Sequence, residues 1–278
     1  MLQLTFMYLP LCFYLVYHFR CKGKYTEIAI WKLFVCAVVD SQATICIVLA
    51  YSLTSITSVM IIEDFSIPSA VVLSVLLLKV SYSGRHWLGI AVCVCGISLG
   101  FTNDFLFFKS TAEASKPILG DLLALVGAFL YALENVLQEY LIKKKEDVFN
   151  FLGFIGLFGA LITLAEATIT WEFTQFQNIV PGDGWKVGLN FFGMAAVNFV
   201  TYTIIPFYVT RSGATLLNLS NVTTIIWSML SDIMLFQGQF YPLCLAAFAL
   251  EIVGIVIFST VKPVKKVVEQ PIVNELSV

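Results

Sequence analysis

Apolar residues gather into nine blocks separated by short polar or basic connections. The blocks run Leu2 to Phe19, Leu33 to Leu53, Ile56 to Leu78, His86 to Thr102, Leu119 to Ile142, Val148 to Thr170, Val187 to Val209, Gly213 to Phe236 and Phe240 to Val261. At about 1.5 Å of rise per residue, and allowing for tilt, each is long enough to cross about 30 Å of hydrocarbon as a helix. None alternates apolar with polar residues in the period of two that a barrel strand needs. The pattern predicts an all-α, polytopic, integral membrane protein with nine transmembrane helices.

Composition agrees, since 59% of residues are hydrophobic and only 12% charged, with a mean hydropathy of +0.89. A chain so poor in polar surface needs lipid as its solvent. The 16 basic residues sort by side. Arg20, Lys22, Lys24, Lys32, Lys79, Arg85, Lys143, Lys144, Lys145, Arg211, Lys262, Lys265 and Lys266 fall on one side, and only Lys109, Lys116 and Lys186 on the other. The positive-inside rule makes the first side cytoplasmic. No cleavable leader is expected, because no basic residue precedes the first block and no small-residue cleavage site follows it. Plasma membrane and endomembrane are both compatible with these features. Seven cysteines, all in or at the ends of blocks, suit packing better than a disulfide framework. The external connections Asn103 to Ile118 and Trp171 to Lys186 are too weakly basic for nucleic acid, and Pro181, Gly182, Asp183 and Gly184 predict a turn in the second. The tail from Lys262 is expected to be disordered, with Lys265 and Lys266 placed to meet anionic lipid.

Shifting the chain by 157 residues lays FVCAVVDSQATICIVLAY, from Phe34, over FFGMAAVNFVTYTIIPFY, from Phe191. With one residue added, Gly96 falls on Gly254. Corresponding blocks cross the membrane in opposite senses, so the repeat is inverted, as in many secondary transporters. The first unit, residues 1–110, has four blocks; the second, 111–262, has five; residues 263–278 form the tail. The imbalance predicts a ten-helix architecture, five plus five, from which a first helix is absent.

The stretches EDFSIPSAVVLSVLLLKVSYSGRHWLGIAVCVCGISLG from Glu63, GDLLALVGAFLYALENVLQEYLIKK from Gly120, FLGFIGLFGALIT from Phe151 and SGATLLNLSN from Ser212 resemble the drug/metabolite transporter superfamily. Within it, they resemble the F branch of solute carrier family 35. The resemblance covers the whole chain. It implies a ten-helix carrier whose relatives handle nucleotide sugars, vitamins and other small polar metabolites.

Polar groups inside the blocks are the candidate site, since an ionisable residue at a helix centre costs about 2.5 to 3.5 kcal/mol on insertion scales. Asp40 and Gln42 lie near the middle of the second block. Tyr131, Glu134, Asn135 and Gln138 form a stripe on the fifth. Asn198 and Tyr202 mark the seventh, and Asn218 and Asn221 the eighth. These ten residues are the expected substrate-binding set. Glu63 and Asp64, just before the helix-interrupting Pro68, are proton-coupling candidates together with Glu134. Glu251, central in the last block, is expected to meet a partner. Gly153, Gly156 and Gly159 suit close helix approach rather than substrate binding.

No Lys or Arg lies near mid-membrane, which favours a neutral or cationic solute over a diphosphate. The function expected is secondary-active transport of a small polar organic solute by alternating access, coupled to protons or working by exchange. The alternatives are a non-transporting paralogue that pairs with a full-length carrier, and a nucleotide-sugar exchanger. With His18 and His86 near helix ends and no spaced His, Asp or Cys cluster, neither catalysis, a metal nor a cofactor is expected. The expected partners are the solute and membrane lipids, and a homodimer is compatible with the sequence.

Overall fold

The computed structural model describes residues 1–21, 29–54, 56–107, 116–143, 148–170, 172–221, 227, 234, 242–261 and 264–265. Six helical stretches among them are long and apolar enough to cross a membrane, and two shorter apolar helices, Gly84–Leu99 and Leu245–Ser259, fall on the fourth and ninth predicted blocks. The chain is an all-α, multi-pass membrane protein. Of the eighth block the first turns and residues 227 and 234 are described, and the remainder, with Asp232, lies outside the described residues, as does nearly all of the tail.

Two blocks are broken rather than continuous. The first comprises α1 (Leu2–Tyr8), a single 3₁₀ turn (Leu9–Leu11) and α2 (Cys12–Cys21). Pro10 sits at the break and has no N–H to give a preceding carbonyl. After α3 (Ile30–Leu53), the third block divides into α4 (Ile56–Glu63) and α5 (Ser66–Leu78). Pro68 cannot donate to the carbonyl of Asp64, four residues back, which instead accepts the N–H of Ile67 at 2.9 Å. The helix therefore parts at Asp64 and Phe65, and Pro68 falls in the first turn of α5, where a missing N–H costs nothing.

Next come α6 (Gly84–Phe107), α7 (Pro117–Lys143), α8 (Val148–Ile169) and α9 (Glu172–Ser212). Glycine 213, at φ +89°, adopts a backbone that L side chains avoid and separates α9 from α10 (Ala214–Asn221). The last helix is α11 (Pro242–Ser259). Helix α9 corrects one expectation, because its 41 residues run through the segment read as a turn at Pro181 to Gly184. A proline removes only its own backbone donor, and at a position beyond the apolar stretch water can satisfy the freed carbonyl.

Helices α1 and α2 lie antiparallel to α8 along the glycine row. A Cβ on Gly153 would stand 2.7 Å from that of Leu15, on Gly156 2.5 Å from that of Leu11, and on Gly159 2.6 Å from the Tyr8 ring. Backbone contact this close needs hydrogen in place of a side chain. Leu11, Leu33, Cys36, Phe151 and Ile155 fill the space around this seam. A second cluster, Ile67, Val71, Ile90, Cys93, Leu219 and Phe248, joins α5, α6, α10 and α11. By contrast α9 is bare along much of its length, with Phe192 73% and Val197 66% exposed, as suits a helix facing lipid.

The two ends of the bundle are tied differently. At one, strands β1 (Val80–Ser81) and β2 (Val264–Lys265) pair antiparallel. Beside them the backbone N–H of Ser83 donates to His86 Nδ1 at 3.0 Å, so the other ring nitrogen carries the proton and donates to the Val261 carbonyl at 2.7 Å. Basic residues cluster in sequence at this end, at Lys79, Arg85 and Lys262 to Lys266. At the opposite end the N–H of Lys116 reaches the carbonyl of Leu53, and Thr54 and Ser58 both donate to Asp121 Oδ1, at 3.0 and 2.9 Å.

Candidate functional site

Asp40 lies near the middle of α3 and is 2% exposed. An ionised carboxylate in that position needs donors, and two tyrosines from other helices supply them. The Tyr8 hydroxyl, from the last residue of α1, donates to Oδ2 at 2.9 Å. The Tyr202 hydroxyl, from α9, lies 3.0 Å from Oδ1 and 3.1 Å from Oδ2. The two hydroxyls are 3.5 Å apart, and the rings meet edge to face with centroids at 5.8 Å. Tyr8 reaches this point because Gly159 leaves its ring room against α8.

The network continues along α3. Thr44, one turn beyond Asp40, donates to its carbonyl at 2.9 Å and accepts the Tyr131 hydroxyl of α7 at 3.1 Å. Glu134, one turn from Tyr131 and buried, is near enough for the charge of Asp40 to act on it. Tyr131 is in turn within electrostatic reach of Glu63. Five elements therefore converge here through α1, α3, α4, α7 and α9. No Lys or Arg lies in the central part of any of them.

Of the sequence-predicted set, Asp40, Tyr131, Glu134 and Tyr202 come together. Gln42 does not, because two residues along a helix is more than half a turn; it points to α8, where its amide donates to Glu166 Oε1 at 2.6 Å. Asn135 and Gln138 are buried on α7, Gln138 with an unpartnered Oε1. Asn198 donates to the Met194 carbonyl of its own helix. Asn218 does the same to Ala214 at 2.9 Å, while its Oδ1 stays buried without a donor. Asn221 is exposed. Glu63 and Asp64 lie at the α4–α5 break, and the charge of Glu251 of α11 acts on Asp64.

Two neighbours escaped the reading of the sequence. Tyr8 has only Thr5 as a polar companion at helical spacing, and its other local signal is Pro10 two residues on. Glu139, near the end of α7, is 3% exposed, and its Oε2 accepts the N–H of Ala214 at 2.6 Å. A carboxylate at the start of α10 satisfies a donor that has no helical partner and complements the helix dipole. A side chain on Gly213 would press on it, with a Cβ 3.2 Å from that oxygen.

Comparison with known proteins agrees with this architecture. A family profile described as Solute carrier family 35 matches residues 2–260. Solute carrier family 35 member F2 of Mus musculus is 32% identical over 228 residues, covering 82% of this chain and 60% of the relative. The Xenopus tropicalis protein of the same name is 31% identical, with 82% and 58% covered. An uncharacterized solute carrier family 35 member from Schizosaccharomyces pombe is 29% identical, over 92% of this chain and 49% of its own length. The chain thus spans about half to three-fifths of the curated relatives it matches. With the profile matching nearly the whole sequence, this chain belongs to solute carrier family 35.

Proposed function

We propose that the chain is the membrane core of a secondary carrier that binds a small polar organic solute, neutral or cationic, at the Asp40 network and moves it by alternating access. The observation that carries the reading is a buried carboxylate held, among the described residues, by hydroxyl donors from helices that meet from different parts of the chain. A neutral hydroxyl or amide, or an ammonium, can replace those donors one for one. A diphosphate would bring like charge to Asp40 and Glu134 with no guanidinium or ammonium to meet it.

Alternating access is supported by the broken helices, which are frequent at carrier sites, and by reciprocal contacts between α6 and α11. A Cβ on Gly96 would meet the Glu251 side chain at 2.7 Å, and a Cβ on Gly254 would meet Cys93 Sγ. Gly96 and Gly254 are partners in the sequence repeat. Exchanged contacts of this kind are what an inverted two-unit carrier needs at its pseudo-twofold axis. The test is uptake into liposomes holding the full chain, offered a cell metabolite extract and read by mass spectrometry, with Asp40→Asn alongside. Selective accumulation of neutral or cationic solutes, lost in the variant, is expected. Accumulation of phosphorylated anions, or uptake indifferent to Asp40→Asn, would overturn the assignment.

A further inference from the structure

A second acidic centre lies apart from the Asp40 network. Asp64 occupies the break between α4 and α5 and is 4% exposed; Glu251, midway along α11, is 1% exposed. The charge of Glu251 acts on Asp64, and that of Glu63 does so as well. Asp64 Oδ2 and Glu251 Oε2 are each buried with no hydrogen-bond partner. An ionised carboxylate only accepts, so two of them in one dry site leave both without donors. A single proton converts one into a donor and removes the like-charge repulsion.

Among the described residues, the surroundings offer no other remedy. Glu63 faces the pair from α4 and Cys93 from α6, where its Sγ lies 3.6 Å from the Glu251 carbonyl. Helices α5 and α10 carry no titratable residue, and they pack here through Ile67, Val71 and Leu219. Tyr51 and Tyr131 approach Glu63 rather than the pair. No basic residue occurs within α4, α5, α10 or α11, and Arg85, the one in α6, is at its first turn. The Asp64 backbone is also held at the break, since its carbonyl accepts Ile67 N–H in place of the donor Pro68 lacks.

We propose that Asp64 and Glu251 share one exchangeable proton and form the ion-coupling site of the carrier, separate from the solute at Asp40. The proposal rests on the carrier reading above. The proton arrives from water on one face and leaves to water on the other, and the only bond made and broken is the one between it and a carboxyl oxygen. The break in the helix gives the pair a means of acting on motion, because Asp64 moves with the joint between α4 and α5 while Glu251 moves with α11. The repeat also supplies benign replacements. Asn221 falls on Asp64, and Cys93 on Glu251, so Asp64→Asn and Glu251→Cys install what the opposite unit already carries.

The test uses the full chain in liposomes and two readouts. Infrared difference spectra across a pH titration follow the C=O band of a protonated carboxyl. Uptake under an imposed pH gradient, with sodium replaced by choline in a parallel arm, follows coupling. The wild type is expected to show a titrating carboxyl band and, for one proton per solute, up to about tenfold accumulation per pH unit of gradient. Asp64→Asn and Glu251→Gln are each expected to alter that band and abolish the gradient response while solute exchange continues, and Glu251→Asp to restore part of it. No carboxyl band in the wild type, a band unchanged in both variants, or accumulation that follows sodium and ignores pH would overturn the proposal. A titrating band altered by both variants, without uptake of any solute by the wild type, would support the proton site and overturn the carrier reading instead.

Discussion

Asp40 and Asp64 are both aspartates, both within apolar helices and both almost fully buried, yet their environments differ in kind. Both oxygens of Asp40 accept tyrosine hydroxyls, and its helix is unbroken around it. Asp64 sits where the helix parts and has an oxygen with no donor, across from a second carboxyl in the same condition. Burial alone therefore does not define what an intramembrane carboxylate does. A satisfied one is a fixed acceptor that a ligand can address by exchanging donors, and an unsatisfied pair is suited to exchanging a proton.

Substitutions separate the two cases. The largest effect is expected from Asp40→Asn, which removes the charge that both tyrosines address. Hydrogen bonds to a charged group contribute about 1.5 to 3 kcal/mol each, so uptake at low solute concentration should fall by about a hundredfold, measured as initial rate in liposomes. Gly159→Leu should come next. Forcing extra carbons against the Tyr8 ring is expected to cost about 1 to 3 kcal/mol, seen as a lower unfolding temperature in detergent together with lost uptake. If Gly159→Leu spared uptake, Tyr8 would not be the donor that matters.

Tyr8→Phe and Tyr202→Phe should each weaken uptake by roughly tenfold, the equivalent of one charged hydrogen bond. Because they share one carboxylate, the double variant should fall short of the product of the two, and strict additivity would mean that they act separately. Glu139→Gln leaves the Asp40 network alone and weakens the start of α10, so it should cost about 0.3 to 1 kcal/mol of stability, with uptake altered little. The smallest effect is expected from Asn198→Ala, within about 0.5 kcal/mol of stability, since its side chain bonds only to its own helix. Loss of uptake there would extend the site one turn along α9.

How much of this was readable in the sequence depended on whether one helix sufficed to read it. Block length and the position of Pro68 are local, and they located the spans and the break at Asp64. Asp40 and Tyr131 stood out because a polar residue in the centre of an apolar block is conspicuous on its own. Gln42 stood out for the same reason, but adjacency in the chain is not adjacency on a helix face, and the fold turns it towards α8. Tyr8 was invisible because its significance comes from Asp40 and Tyr202, which are 32 and 194 residues away. Periodicity tells which face of a helix is polar, but not which other helix that face will meet. Asn198 and Asn218 looked like site residues because a polar side chain in a span suggests a ligand, whereas bonding to the carbonyl one turn back satisfies its donor at no cost in partners.

Helix α9 has a practical consequence that concerns its length rather than its chemistry. Its 41 residues span about 60 Å at 1.5 Å each, roughly twice the hydrocarbon thickness. A rod of that length must project beyond the bilayer core it crosses, so a rigid binder on the projecting part would serve as an alignment marker for particle imaging, and its tilt would report movement of the helix that carries Tyr202.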